Sequence, residues 1–194
     1  MPNGRLDTMN DEGLAALAVK SGEAYGELMK RYEGRLLVYI RRLSGVRVED
    51  AQDILQDSYI KAYYNLNDFD PKLKFSSWIY RIAHNETISD WRKREARPSV
   101  ILDEESWLKF HGSQDMAQEI DQKINRVRVE EALNHLHVKY RDVIILKYLE
   151  ERSYEEIADI LRKPPNTVGT LINRAKKQLK KILEKYDGSQ PASA

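Results

Sequence analysis

Nearly every apolar stretch of this chain repeats at steps of three and four residues, and no convincing apolar–polar alternation interrupts the pattern. Side chains at that spacing share one face of an α-helix, whereas a half-buried strand alternates every second residue. The chain is therefore expected to be all-α. Leu14, Leu17, Ala18 and Val19 begin one helix, and Leu28, Tyr32, Leu36, Tyr39, Ile40 and Leu43 carry the next stretch. After a polar loop around Ser44 and Gly45, the residues Ala51, Leu55, Ile60, Ala62, Tyr63 and Leu66 form a further face. Asp70-Pro71 breaks the run, because the residue before a proline is steered out of the helical region. Phe75, Trp78, Ile79, Ile82, Ala83 and Ile88 then start a helix that runs toward Trp91.

From Glu95 to Asp121 the period fades, and seven acids face two bases, a local balance of −5. Helical spacing resumes with Ile124, Val127, Ala132, Leu133 and Leu136. These shifts divide the chain into a helical domain over 10–95, an acidic flexible linker over 96–121 and a second helical domain over 122–186. The small polar tail over 187–194 is expected to be disordered. The 194 residues suffice for two small domains with modest cores.

Composition narrows the function. The formal net charge is +1, so any nucleic-acid contact must come from local patches rather than a global basic field. There is no cysteine, which excludes disulfides and thiolate metal sites. The longest apolar runs, such as Leu36 to Ile40 and Val143 to Leu146, are far too short to span a bilayer. The first residues, Met1-Pro2-Asn3-Gly4-Arg5, carry no signal-type apolar segment, so a soluble cytoplasmic chain is expected.

The second domain holds the most mechanically readable motif. Ser153 is a good N-cap, and Glu156 three residues later completes a capping box. Ile157, Ala158, Ile160 and Leu161 give that short helix its buried side. Pro164-Pro165 is expected to make Arg162 to Asn166 the turn, with Asn166 or Thr167 capping the next helix. Val168, Ile172, Ala175, Leu179 and Ile182 form the apolar face of that helix, leaving Thr167, Thr170, Asn173, Arg174, Lys176 and Lys177 on the rest of the cylinder. Two helices joined by a tight turn, with free polar residues on the second, suit entry into a major groove. Between Arg162 and Lys185 eight bases face one acid, a balance of +7 that suits phosphate contacts. A basic helix C-terminus is also favourable in itself, since it complements the helix dipole.

In the first domain Asp50, Asp53 and Asp57 share one helix face. Three readings fit: a solvated acidic face, a metal site, or a docking surface for a basic partner. No matching histidine or second carboxylate pair stands at ligand spacing, and His135 and His137, two apart on a helix, point in different directions. No nucleophile–base pair, phosphate loop or zinc pattern is present, so neither catalytic residues nor cofactors are expected.

The string Asp50-Ala51-Gln52-Asp53-Ile54-Leu55-Gln56-Asp57, with Tyr59-Ile60-Lys61-Ala62-Tyr63, resembles region 2.2 of bacterial RNA polymerase sigma factors. Phe69-Asp70-Pro71 and the run Lys74 to Asn85 resemble regions 2.3 and 2.4 of their extracytoplasmic-function (ECF) group. The second domain, from Leu133-Asn134-His135-Leu136 through Tyr140-Arg141-Asp142-Val143-Ile144 to Ala175, is similar to region 4. The resemblance spans about residues 10–185 in the right order. It implies a non-enzymatic adaptor that binds core RNA polymerase and promoter DNA, with an anti-sigma factor as a further partner that could hold it at the membrane.

The resemblance also implies residue roles. Asp50, Asp53, Gln56 and Asp57 would bind polymerase, the last three matching positions that contact the clamp helices. The loop Asn67 to Lys74, with Asn67, Asp68, Phe69, Lys72 and Lys74, matches the one that captures a base flipped from the melted minus-ten strand. Tyr80, Arg81, Asn85, Trp91 and Arg92 would line the same DNA, with Lys93 and Arg94 as further backbone-binding bases. Phe75 and Trp78 are expected to be structural. Thr167, Thr170, Asn173, Arg174, Lys176 and Lys177 would read the minus-thirty-five duplex. The family commonly has a glycine where Asn166 stands and bases near Gly169 and Leu171, so upstream recognition is expected to depend less on side chains there. A plain helix-turn-helix regulator would need neither the acidic face over 50–57 nor the aromatic-basic stretch over 75–94, and a metal-dependent enzyme built on Asp50, Asp53 and Asp57 would require bound divalent metal.

Overall fold

The computed structural model describes residues 6–95, 129 and 131–187. The expected linker over 96–121, Ile124, Val127 and the tail beyond residue 187 lie outside these. Among the described residues every element is helical.

α1 (Asp11–Ala18) starts where the Asn10 side chain accepts the Gly13 N–H at 2.9 Å. A Cβ on residue 13 would stand 2.7 Å from that same oxygen, so a larger residue there would push the capping side chain aside. α2 (Gly22–Ser44) is capped by Ser21, which accepts the Ala24 N–H, and stops at Gly45 in the left-handed region at φ 73°. Leu28, Leu36, Tyr39 and Ile40 form its buried stripe. Removing each such side chain from water stabilises by roughly 1.5–3 kcal/mol. Arg31 ties the entering chain to α2, donating to the Met9 carbonyl and to Asp11, both at 2.8 Å, and to the Leu6 carbonyl. The Leu17 and Val19 side chains, read as part of the first apolar face, are exposed instead.

α3 (Val48–Tyr64) leads through a short 3-10 turn at Leu66–Asp68 into a loop, and α4 (Phe75–Glu95) follows. Phe69, Phe75 and Trp78 pack at ring spacings of 5.3 to 5.5 Å, and Tyr32 meets Phe75 edge-on at 5.5 Å. That cluster anchors the loop at Phe69. Its far end is held by Asp70, whose side chain accepts the Lys72 N–H and whose carbonyl accepts the Leu73 N–H. Glu12 of α1 accepts the Phe75 N–H at 3.1 Å, so a distant helix supplies a partner for an orphan donor at the start of α4.

In the second unit residues 131–134 are helical, α5 spans Val138–Ile144, and a five-residue π-helical segment, Ile145–Leu149, continues it. Arg141 gathers the carbonyls of Leu133, Asn134 and Leu136 and reaches across to that of Leu43 in α2. α6 (Tyr154–Leu161) carries the expected capping box, with Ser153 and Glu156 bonded reciprocally. It ends at Arg162 in the left-handed region at φ 49°. α7 (Pro165–Asp187) begins earlier than expected. Pro165 takes the first helical position, where its missing N–H is no loss, so the turn is only Arg162 to Pro164. Neither Asn166 nor Thr167 is the cap; the Pro164 carbonyl accepts the Thr167 and Val168 N–H groups at 2.9 and 3.1 Å.

The buried residues of the two units form one continuous cluster, in which α4 packs on α6 and α5 meets α2. Glu156 sits at this seam. Burial pushes its carboxyl up, but the Ser153 N–H, Lys74 and Arg152 outweigh that and hold it below the ordinary glutamate value of 4.5. Its contribution is therefore complete above that value and lost as pH falls through the depressed one. Glu156→Gln should lower Tm by a few degrees at neutral pH and flatten the acid limb of a Tm-against-pH curve. An unchanged acid limb would exclude Glu156 as its source.

Candidate nucleic-acid and protein interfaces

Three surfaces hold the residues singled out above. On α3 the buried side is Ala51, Ile54, Leu55, Ser58 and Ala62. Asp53, Gln56 and Asp57 point the opposite way and are exposed. Asp50 departs from them: Arg94 of α4, also paired with Asp90, donates to its carboxylate at 3.2 Å. Ile60 and Tyr64, 56% and 77% exposed, continue the stripe at steps of three and four from Asp53 and Asp57. Ile60 and Tyr63 were expected on the buried face, but both lie outside the core. Counting forward from Asp53 by seven and eleven would have placed Ile60 and Tyr64 with the acids, because those steps return to one helix face.

The second surface is the loop after α3 with the outer side of α4. Asn67, Asp68, Lys72 and Lys74 are exposed and Phe69 is buried. Arg81, Asn85 and Arg92 follow at steps of four and seven, one stripe along α4, with Asn85 and Arg92 exposed and Arg81 half-buried. Burial and the nearby Arg162 charge both press the Arg81 guanidinium down from its ordinary value. Tyr80 and Trp91 lie about a quarter turn away from that stripe. The Tyr80 side chain is wholly buried: its hydroxyl donates to Glu150 at 2.6 Å, and the Arg152 guanidinium covers its ring at 4.3 Å. Phe75 and Trp78 are core residues, as their spacing predicts.

On α7 the residues Val168, Ile172 and Ala175 are buried, while Thr167, Thr170, Asn173, Arg174, Lys176 and Lys177 are all exposed. Five of them share about a third of the cylinder; Lys176 sits at the flank, its ammonium 6.0 Å from the Tyr148 ring. Thr170 spends its hydroxyl proton on the Asn166 carbonyl at 3.0 Å. Gly169 lies away from the outer arc and faces Tyr154 of α6. The helix pair thus presents a free polar arc with basic side chains, the shape and charge that enter a groove.

Among the described residues no three His, Asp or Glu side chains gather closely enough to hold a metal ion, and no helix is long and apolar enough to cross a membrane. His137 caps α5, accepting the Lys139 N–H.

The chain matches the family model of sigma-70 region 2 over residues 28–97 and that of sigma-70 region 4 over residues 126–179. It is 35% identical over 180 residues to the ECF RNA polymerase sigma factor SigW of Bacillus subtilis, covering 85% of this chain and 92% of that one. It is 30% identical over 184 residues to the RNA polymerase sigma factor NccH of Alcaligenes xylosoxydans xylosoxydans, covering 92% and 97%. Among solved structures it resembles CnrH in complex with the cytosolic domain of CnrY, with TM-score 0.67, 27% identity and coverage of 90% and 97%. It also resembles RpoE in complex with the anti-sigma factor NepR from Bartonella quintana, with TM-score 0.61, 26% identity and coverage of 78% and 91%. Regions 2 and 4, in that order, define a bacterial transcription initiation factor. The chain belongs to the sigma-70 family, in its ECF group. It acts with RNA polymerase in promoter-specific initiation.

Gly169 offers a direct test of the recognition helix. A Cβ there would meet Tyr154 Cε1 at 3.6 Å, an ordinary contact. Gly169→Ala should therefore gain roughly 0.5–1 kcal/mol from helix propensity alone, visible as a raised Tm. A lowered Tm would show that Tyr154 needs the space.

Proposed function

We propose that this sigma factor divides its work among the three surfaces. Asp53, Gln56 and Asp57 dock core polymerase, with Ile60 and Tyr64 extending the contact. Asp50 keeps its pair with Arg94 at the margin of this stripe. The loop Asn67 to Lys74, Arg81, Asn85, Trp91 and Arg92 hold melted minus-ten DNA. Thr167, Thr170, Asn173, Arg174, Lys176 and Lys177 engage the minus-thirty-five duplex. The observation that carries the reading is the exposure of the acidic stripe on one face of α3, opposite a fully buried face. An acidic stripe suits a basic protein surface and repels phosphate, so polymerase rather than DNA is its partner.

The minus-ten assignment rests on the chemistry of base capture. A base edge is free for reading only after it leaves the stack, and a rigid exposed loop beside basic residues suits such a strand. Lys72 and Arg92 would position the strand through phosphates, and Asn85 would read or frame the base. The protein itself carries out no chemistry in this reading and works in the cytoplasm. CnrH and RpoE were solved with CnrY and the anti-sigma factor NepR respectively. An anti-sigma factor is accordingly the expected regulator here, and one seated in a membrane would hold this chain at its surface.

Replacing Asp53, Gln56 and Asp57 together by Ala should weaken binding to core polymerase by at least about tenfold while helical content stays intact. Parent-like affinity, measured by competition for core polymerase, would remove α3 from the interface. Asn85→Ala should leave core binding and upstream duplex binding unchanged and impair promoter opening. Its minus-ten selectivity should remain reduced on a pre-melted bubble template, and permanganate footprinting reads the opening. Wild-type opening with unchanged selectivity would exclude Asn85 from the site.

A further inference from the structure

We infer that Glu12 of α1 is a positioning residue for base selection: it fixes the exit of the loop between α3 and α4 and so sets the shape in which that loop meets DNA. The inference rests on the minus-ten reading above for what the loop holds. Asp70 to Lys74 are all exposed, and the loop therefore keeps its outline through its two ends. At the exit, Glu12 Oε1 accepts the Phe75 N–H at 3.1 Å from 63 positions earlier in the chain. That N–H belongs to the planar peptide that also carries the Lys74 carbonyl, and this carbonyl accepts the Trp78 N–H at 3.3 Å. One carboxylate thus orients the peptide at which the loop ends and α4 begins.

Asp11, next to Glu12, reaches the other end of the loop through two rings. It accepts from the Tyr32 hydroxyl. The Tyr32 ring meets Phe75 edge-on at 5.5 Å, and Phe75 packs on Phe69 at 5.3 Å, where the loop begins. Both acids are held from behind. Asn10 caps α1 by accepting the Gly13 N–H, and Arg31 donates to Asp11 and to the Met9 carbonyl, both at 2.8 Å. Arg31 also takes the Leu6 carbonyl at 2.8 Å, so the chain entering α1 is part of the same brace.

The chemistry assigns these acids to support rather than to contact. Asp11 and Glu12 are half-buried carboxylates occupied by donors of this chain, and their charge would repel a phosphate. The bases and amides of the loop and of the outer stripe of α4 stand free to meet DNA. A site carried on a loop is only as exact as the groups that hold the loop, and a shift well under the length of a bond to its anchor degrades selection. Glu12→Asp draws the carboxylate back by one C–C bond, roughly 1.5 Å, while keeping its charge at the start of α1.

The test uses holoenzyme assembled from core polymerase and the full chain, with a bubble template randomised in both its melted strand and its upstream element. The bases recovered with bound DNA give the preference at each position. The parent should select sharply at a position in the melted strand. Well below its Tm, Glu12→Asp should flatten that preference roughly tenfold, about what one well-placed base contact supplies. Its upstream preference and core affinity should match those of the parent. Glu12→Gln, which keeps an acceptor oxygen at the original reach, should select as the parent does. Parental selection by Glu12→Asp overturns the positioning role. A loss that spreads to the upstream preference, or that Glu12→Gln shares, overturns it too, because the residue then serves the fold or its charge alone. A parent with a sharp upstream preference and none in the melted strand overturns the minus-ten reading itself, and this inference with it.

Discussion

The first turns of α4 are packed against four other helices, and the rest of the molecule is arranged around that constraint. Phe75, Trp78, Ile79, Tyr80 and Ala83 are all buried, against α1, α2, α3 and α6 in turn. A helix so enclosed must have its leading N–H groups satisfied from within the protein, and Glu12 does this for Phe75 from 63 positions earlier in the sequence. The same packing leaves Arg81, Asn85 and Arg92 as an outward stripe, with the exposed Lys93, Arg94 and Glu95 at the end of the helix. Core and the proposed promoter face are therefore two sides of a single cylinder, separated by its helical period.

Much of this was legible from spacing. The step-three and step-four pattern marked the buried sides of α2, α4, α6 and α7, and the Ser153–Glu156 pair marked the start of α6 without ambiguity. Errors arose where local rules compete. Pro164-Pro165 signals a break, but a second proline fits the first helical turn as well as it fits a loop. Ile60 and Tyr63 looked like core because they are apolar, although their angular position already set them apart from Ala51, Leu55 and Ala62. The π-helical segment over Ile145–Leu149 has no sequence signature of its own.

What spacing could not reveal was the pairing of distant residues. Tyr39 and Asp142 stand 103 positions apart, and nothing local to either names the other. Tyr80 illustrates the consequence. As an aromatic on a helix expected to face promoter DNA it suggests stacking on a base, yet in the fold its ring carries Arg152 and its hydroxyl carries Glu150. A tyrosine with both an apolar body and a polar tip can serve either partner. Residue type narrows the chemistry of a site, and only the assembled fold says which partner is present.

The loop between α3 and α4 is short, pinned at Phe69 by the rings of Phe75 and Trp78 and closed at Asp70 by its own hydrogen bonds. If this loop captures a base as proposed, a segment with so little freedom discriminates chiefly by refusal. It loses little entropy on accepting a nucleotide of the right outline, and it cannot remodel itself to welcome one of the wrong outline. On that proposed role, the loop would accept few substitutions at the captured base, and a change there would abolish recognition rather than weaken it by degrees.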